Sequence, residues 1–182
     1  LKKFKTKDSQ NFREYDEATK LINMSEVFSD STLLSSKRID RYISDLDELI
    51  FFHDIYLNKY NNLMVKVHKE LSSKLKESSY DNAKEDIQRT SDMFLKSHSS
   101  TKSYYLALKK TLILMKEINS KDQFVVEDGR VLIKDDYYVK LYNKSINEHN
   151  DSLMNSDKDR KNYLTYMQKV ADDLKKSVQK LD

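Results

Sequence analysis

Apolar residues recur every three or four positions along most of the chain, the spacing that places them on one side of an α-helix. The most regular stretch alternates steps of four and three residues through Ile39, Ile43, Leu46, Ile50, His53, Leu57, Tyr60, Met64, Val67 and Leu71. A mean step of 3.5 residues keeps one seam against partner helices, as in a coiled coil. Leu49, Phe52, Tyr56 and Leu63 widen this seam. The pattern therefore predicts a long helix with two neighbours.

Two later stretches predict long helices with the same spacing. The third predicted helix has its seam at Ile87, Ser91, Phe94, His98, Thr101, Tyr105, Leu108, Leu112 and Met115. The fourth begins near Asp135 and Asp136, acids that favour the positive end of a helix. Its seam is Val139, Tyr142, Ile146, His149, Leu153, Ser156, Arg160, Tyr163, Met167, Val170, Leu174, Val178 and Leu181. Each of these helices spans roughly 60–70 Å at 1.5 Å per residue.

The N-terminal part predicts a shorter helix over residues 9–28, after a basic lead at residues 1–8. Ser29, Asp30 and Ser31 mark a stop and restart, because such side chains cap a new helix. The residues predicted to face the bundle are Phe12, Tyr15, Ala18, Leu21 and Ile22. The lead is either a frayed terminus or a tether that approaches an anionic membrane.

One segment departs from the helical pattern, at residues 124–133. Two short apolar runs, 124–127 and 130–133, flank Asp128 and Gly129, a dipeptide preferred where a hairpin turn needs positive φ. Gly129 is the single glycine of the chain, which has no proline. The segment predicts a β-hairpin with Glu127 opposite Arg130. Its apolar side needs cover, either from the bundle end near Leu71 and Leu75 or from a partner at a free strand edge.

The turn between the second and third helices has two candidate positions. Residues 77–82 are favoured, since Asn82 with Glu85 three residues later resembles an N-terminal capping signal. The polar run at residues 97–103 is the alternative, as a turn or a kink. In either case the sequence predicts an all-α fold, an elongated antiparallel bundle of three long helices, a shorter N-terminal helix and one hairpin. Residues 1–182 form one domain in this prediction.

Composition narrows the possible functions. Charged residues make up 35% of the chain, yet the net charge is only +3 and the lysines alternate with acids, so nucleic-acid binding is not expected. With no cysteine, the chain has no thiolate nucleophile, disulfide or cysteine-bound zinc. One glycine cannot form a phosphate-binding loop. No run of apolar residues approaches the roughly 20 that a transmembrane helix needs.

The histidines are the candidates for chemistry, because three of the four lie on predicted seams. His53 should lie level with Tyr105 and close to His149, while Tyr60, His98 and Ser156 form a second polar layer one heptad away. Two explanations stay open: a polar layer that fixes the helix register, or a metal site. The register explanation is favoured, since no acid stands ready as a third ligand. We therefore expect no bound metal and no cofactor.

Catalytic groups are otherwise not recognisable in this sequence. Glu148 and His149 are adjacent, which is the wrong spacing for a metal-binding pair on one helical face. His68 lies to the side of the second helix. The chain has 12 tyrosines. Two explanations stay open for several of them: they form a stacking platform, or they are ordinary half-buried rings. These are Tyr104, Tyr105, Tyr137, Tyr138, Tyr163 and Tyr166. We expect a protein that is not an enzyme.

The run at residues 136–150, rich in Tyr, Asn and Lys, together with long cysteine-free helices, resembles surface lipoproteins of low-GC Gram-positive bacteria. The nearest type is the cell-wall-binding lipoproteins. The resemblance implies an exported protein on the extracellular face of the membrane, held by a lipid anchor upstream of Leu1. Its partner would be a cell-wall polymer or a protein. Two alternatives remain: a cytosolic or phage-borne bundle that binds a protein through a helical groove, and a metal- or ligand-binding bundle.

Overall fold

The computed structural model describes residues 24–74, 77–128 and 130–179, and most of them are helical. The described elements are α1 (Met24–Val27), α2 (Asp30–Leu33), α3 (Ser36–Lys74), α4 (Glu77–Ser120), β1 (Phe124–Glu127), β2 (Arg130–Ile133) and α5 (Asp136–Gln179). This confirms the predicted all-α bundle of three long antiparallel helices with a small hairpin. The near absence of helix-breaking residues allows helices of 39 to 44 residues.

Helix α4 is the central rod, packed against α3 on one side and α5 on the other. A row of ion pairs marks its contact with α3: Asp40 with Lys116, Asp47 with Lys109 and Asp54 with Lys102, at 2.6, 2.5 and 2.7 Å. Successive pairs are seven residues apart on both helices. Each exposed pair contributes little stability. A slip by one helical turn would break all three at once, so the row specifies the register.

A main core fills the half of the bundle next to the hairpin. It consists mostly of aliphatic side chains from the beginning of α3 and the end of α4, with contributions from the short helices, the hairpin and α5. Its buried members are Val27, Leu33, Ile39, Leu46, Leu49, Tyr105, Leu108, Leu112, Met115, Ile118, Phe124 and Tyr138.

A separate aromatic cluster occupies the distal half, the half away from the hairpin. Tyr56, Tyr60 and Phe94 are its buried members, and Tyr60 stacks on Phe94 with 3.8 Å between ring centroids. Leu57, Met64, Leu95 and Tyr163 pack around them. The three long helices thus share two cores rather than one continuous core.

The hairpin has the predicted strands and register, with Glu127 paired to Arg130 and Phe124 to Ile133. Asp128 has φ 49°, the positive value expected in the turn. Phe124 is buried in the main core, and α2 and α5 contact β2. The predicted cover near Leu71 is wrong: antiparallel packing puts the end of α3 at the opposite end of the bundle. Leu75 lies outside the described residues.

Helix α3 ends at Lys74, and residues 75 and 76 after it lie outside the described residues. Helix α4 already begins at Glu77, so the prediction of a turn at 77–82 is wrong by a few residues. The alternative at 97–103 is also wrong, because that run is helical throughout. Within it, Thr101 and Ser103 donate their hydroxyl hydrogens to the carbonyl oxygens of Ser97 and Ser99, one turn back. Such bonds let a polar run stay in a helix.

The N-terminal predictions are tested only in part. Residues 1–23, which include the basic lead and Phe12, Tyr15, Ala18, Leu21 and Ile22, lie outside the described residues, as does Leu181. A break at Ser29 is confirmed, since α1 ends at Val27 and α2 begins at Asp30. Ser29 does not cap α2 with its side chain; its hydroxyl donates to the Glu26 carbonyl oxygen at 2.8 Å.

Helix α5 begins at Asp136, as the acids at 135 and 136 predicted, and the side chain of Asp135 caps it. The backbone N–H of Tyr137 donates to Oδ1 of Asp135 at 2.8 Å, which satisfies one of the free amides at the helix start. Most described seam residues of α5 are buried or half-buried, but Arg160 is exposed, so its assignment to the seam is wrong. A guanidinium group is too strongly hydrated to enter such a seam without an acid partner.

Candidate functional site

Two histidines, the fully buried His53 and the half-buried His98, meet between α3 and α4 where the main core adjoins the aromatic cluster. Nδ1 of His98 lies 3.2 Å from Nε2 of His53, a distance at which one ring donates a hydrogen bond to the other. Tyr105 of the main core meets His53 edge to face, at 6.3 Å between centroids. Phe94 and Tyr56 of the aromatic cluster lie 4.2 and 5.2 Å from the ring of His98. The pair is the polar junction between the two cores.

Burial keeps both histidines of the pair neutral near pH 7. It lowers the pKa of His53 from 6.5 to about 4, where the nearby Asp54 opposes the shift and Lys102 adds to it. Burial, together with the charge of His53, lowers the pKa of His98 from 6.5 to about 4. Desolvation disfavours the charged imidazolium, and this is the largest cause in each case.

The predicted polar layers are corrected in this structure. The contact of His53 with Tyr105 is confirmed, and His98, which was predicted for a second layer, bonds to His53 of the first. The hydrogen bond between the two imidazole rings therefore joins residues that the sequence analysis had assigned to different layers. Ser156, assigned to the second layer, is hydrogen-bonded to Thr101 at 3.0 Å.

His149 lies on α5, between Phe28 and Tyr104. The ring centroids are 5.5 Å from Phe28 and 5.1 Å from Tyr104. Its Nδ1 is buried and has no hydrogen-bond partner among the described residues. Burial lowers the pKa of His149, so this ring also stays neutral at pH 7. The adjacent Glu148 points elsewhere and pairs with Lys110 at 2.5 Å.

Hydroxyl groups join α4 to α5 in place of large apolar side chains. Oγ1 of Thr111 and Oγ of Ser145 are 2.8 Å apart, and the same contact between Thr101 and Ser156 measures 3.0 Å. Each threonine hydroxyl also lies within hydrogen-bond distance of a carbonyl oxygen one turn back, and either hydroxyl of each pair can be the donor across the interface. These small, hydrogen-bonded side chains lie in the packed contact between the two helices.

The tyrosines considered as a stacking platform are distributed over the length of the bundle. Tyr105 and Tyr138 are buried in the main core, and Tyr104 packs on His149. In the distal half Tyr163 meets Phe94 edge to face, and Arg89 lies over the ring of Tyr166 at 5.2 Å. Tyr137 is 62% exposed. The structure does not bring these rings to one surface.

A groove of about 560 Å³, here called the distal groove, opens between all three long helices near the α3–α4 connection. Tyr60 and Met64 of α3, Ile87 of α4 and Val170 of α5 supply apolar side chains to it. Charged side chains of both signs also line it, from Asp86, Arg89, Lys169 and Asp173, together with Thr90 and Tyr166. The distal groove combines an apolar surface with charges of both signs, which are features of a binding surface.

Metal and membrane sites were also sought among the described residues. In the described ranges, no group of three or more His, Asp or Glu side chains is arranged to hold a metal ion. Within the same part of the chain, no helix has the length and apolar character needed to cross a membrane. His68 is half-buried on α3, away from the His53–His98 pair.

Two features of the site escaped the sequence analysis. The ion-pair row was visible as acids at 40, 47 and 54 and lysines at 102, 109 and 116, both at heptad steps, but the pairing depends on the register. The distal groove had no local signal. Its apolar residues were assigned to the seams, and the groove itself depends on how the three helices pack at this end.

Comparison of the chain with protein-family models, curated proteins and solved structures finds no match.

Proposed function

We propose that this protein is a non-enzymatic helical rod on the extracellular face of a cell membrane, where it contacts a cell-wall polymer or a protein. The proposal includes the lipid anchor that the resemblance to surface lipoproteins implies. The distal groove is the observation that supports it, because side chains from three helices create an accessible apolar surface at one end of a rod.

The polar groups of the bundle interior support a structural role for the rest of the rod. His53 and His98 bond to each other, and the buried serines 145 and 156 bond to threonines across the α4–α5 contact. Groups engaged in such contacts align the helices. A rod with fixed register holds the distal groove at a constant distance from an anchored end.

Binding by the distal groove is tested with purified chain and cell-wall fragments of a low-GC Gram-positive bacterium. Met64→Lys and Val170→Lys place charges on the apolar part of the groove and should reduce sedimentation with the fragments at least tenfold. Val126→Lys is the matched control, since Val126 is 58% exposed on the hairpin at the other end. Equal loss in the control, or full binding by both groove variants, would contradict the proposal.

The location is tested on intact cells. We expect added protease to degrade the protein without cell lysis, as it degrades other surface proteins. Protection until lysis would favour the alternative, a cytosolic or phage-borne bundle that binds a protein partner. The distal groove also suits that alternative, so the two tests together separate binding from location.

A further inference from the structure

The His53–His98 pair lies where a change of charge would act on the contact between α3 and α4. One imidazole comes from each helix, and the pair joins the main core to the aromatic cluster through Tyr105 on one side and Phe94 on the other. His53 is fully buried. Repulsion between the two rings would therefore push α3 and α4 apart.

The hydrogen bond between the rings limits how many protons the pair can hold. A neutral imidazole carries one N–H, and the bond between Nδ1 of His98 and Nε2 of His53 needs one hydrogen between two nitrogens. With both rings protonated, two N–H groups and two positive charges would face each other across 3.2 Å. The closed arrangement disfavours this state, because like charges at that distance in a desolvated site repel strongly.

The surrounding charged groups compensate such a charge only in part, because Asp54 favours it on His53 and Lys102 opposes it. From α3 and α4, Asp54 and Lys102 face the pair, but they bind each other at 2.7 Å. The tyrosines next to the rings, Tyr56 and Tyr105, are neutral at acidic pH. On α5, Asp159 accepts a hydrogen bond from Ser100 and pairs with Lys96. Among these described groups, each acid already has a basic partner.

We propose that the His53–His98 pair is an acid-sensitive latch that holds the distal half of α3 against α4 and releases it at acidic pH. The latch goes beyond the proposed function and does not depend on it. Release separates α3 from α4 around the aromatic cluster and changes the walls of the distal groove, which includes Tyr60 and Met64 of α3.

The direction of the pH effect follows from the two states of the pair. In the open state the rings meet water and titrate near 6.5, whereas in the closed state they titrate at about 4. The open state therefore binds more protons between these values, and the latch is closed above pH 6.5 and weakens as the pH falls toward 4. The equilibrium shifts toward the open state by about 100-fold per histidine at pH 4.

Spin labels test the release directly in the full chain. Asn61→Cys on α3 and Lys161→Cys on α5 provide exposed attachment points, and the chain has no other cysteine. The interspin distance should be narrow at pH 7.5 and become longer and broader by pH 4. In a His53→Leu/His98→Leu background the narrow distribution should persist at pH 4. His149→Leu, which removes a buried histidine outside the pair, should leave the transition unchanged.

A second measurement needs no substitution in the latch. Nitrogen chemical shifts of the imidazoles in the unsubstituted protein should show His53 and His98 neutral down to about pH 5. The latch is refuted if either ring titrates near 6.5 in the folded protein. It is equally refuted if the label distance stays constant to pH 4, or broadens to the same extent without the two histidines.

Discussion

Helix α4 passes through both halves of the bundle, and its two ends are packed differently. Near the hairpin, Leu108, Leu112 and Ile118 are completely buried. In the distal half, Phe94 is buried but Ile87 and Met93 remain partly exposed. One continuous helix thus contacts a closed aliphatic core at one end and an open aromatic cluster at the other.

This difference shows where the stability of the bundle is concentrated. Apolar burial contributes roughly 25 cal/mol per Å², so the closed core next to the hairpin holds a larger share of the folding free energy. The hairpin and the short helices α1 and α2 cover that end. Binding grooves and switches occur in the less stable parts of proteins, and both the distal groove and the proposed latch belong to the less densely packed half.

The largest expected effect concerns the main core. Leu112→Ala should lower the free energy of unfolding by about 3–5 kcal/mol, because the side chain is completely buried and leaves a cavity. The matched variant Leu57→Ala, at a partly buried position in the aromatic cluster, should lower it by less than about 2 kcal/mol. Urea titrations of both variants check the difference, and equal losses would mean that the halves are equally well packed.

We expect the hairpin to stabilise the protein only through the face that packs against the main core. Phe124→Ala should lower stability by about 2–4 kcal/mol, since this ring is only 9% exposed and packs in the main core. Val126→Ala, with 58% of the residue exposed on the same strand, should change it by less than about 0.5 kcal/mol. Thermal unfolding of the two variants measures both effects. A small loss for Phe124→Ala would show that the hairpin is an appendage and not a cover.

Two buried histidines should respond oppositely to replacement by leucine. His149→Leu removes a buried nitrogen that lacks a partner among the described residues and should stabilise the protein by about 1 kcal/mol at pH 7.5. His53→Leu deprives His98 of its hydrogen bond and should destabilise the protein by a similar amount, about 1 kcal/mol. Urea titrations at fixed pH compare them, and stabilisation by both would mean that the imidazole pair contributes nothing.

The smallest expected effect concerns the ion-pair row. A double-mutant cycle with Asp47→Asn and Lys109→Gln should give a coupling energy of about 0.5 kcal/mol, as for other partly exposed pairs. Instead, we expect the ion-pair row to fix the register between α3 and α4. Removing all three acids together should leave helical content unchanged but broaden label distances between α3 and α4, and unchanged distances would show that apolar packing alone sets the register.

The helices and the hairpin could be predicted because their signals are local. Heptad spacing identified most seam residues, and Asp128-Gly129 identified the turn with its correct strand pairing. Contacts between helices were less predictable, since they depend on register. The bond of His98 to His53, the exposure of Arg160 and the cover of Phe124 all follow from how the rods align. The distal groove forms where three helices pack together at one end of the bundle, so no local sequence pattern could predict it.

The central claim, that one rod joins a stable half to a less stable half, is tested most directly by native-state hydrogen exchange along α4. We predict that amides at positions 105–118 exchange only through global unfolding. Amides at positions 84–95 should exchange through a smaller opening of lower free energy, and this opening should become easier as the pH falls from 6.5 toward 4 after correction for intrinsic rates. Uniform protection from one end of α4 to the other, at every pH, would contradict the account.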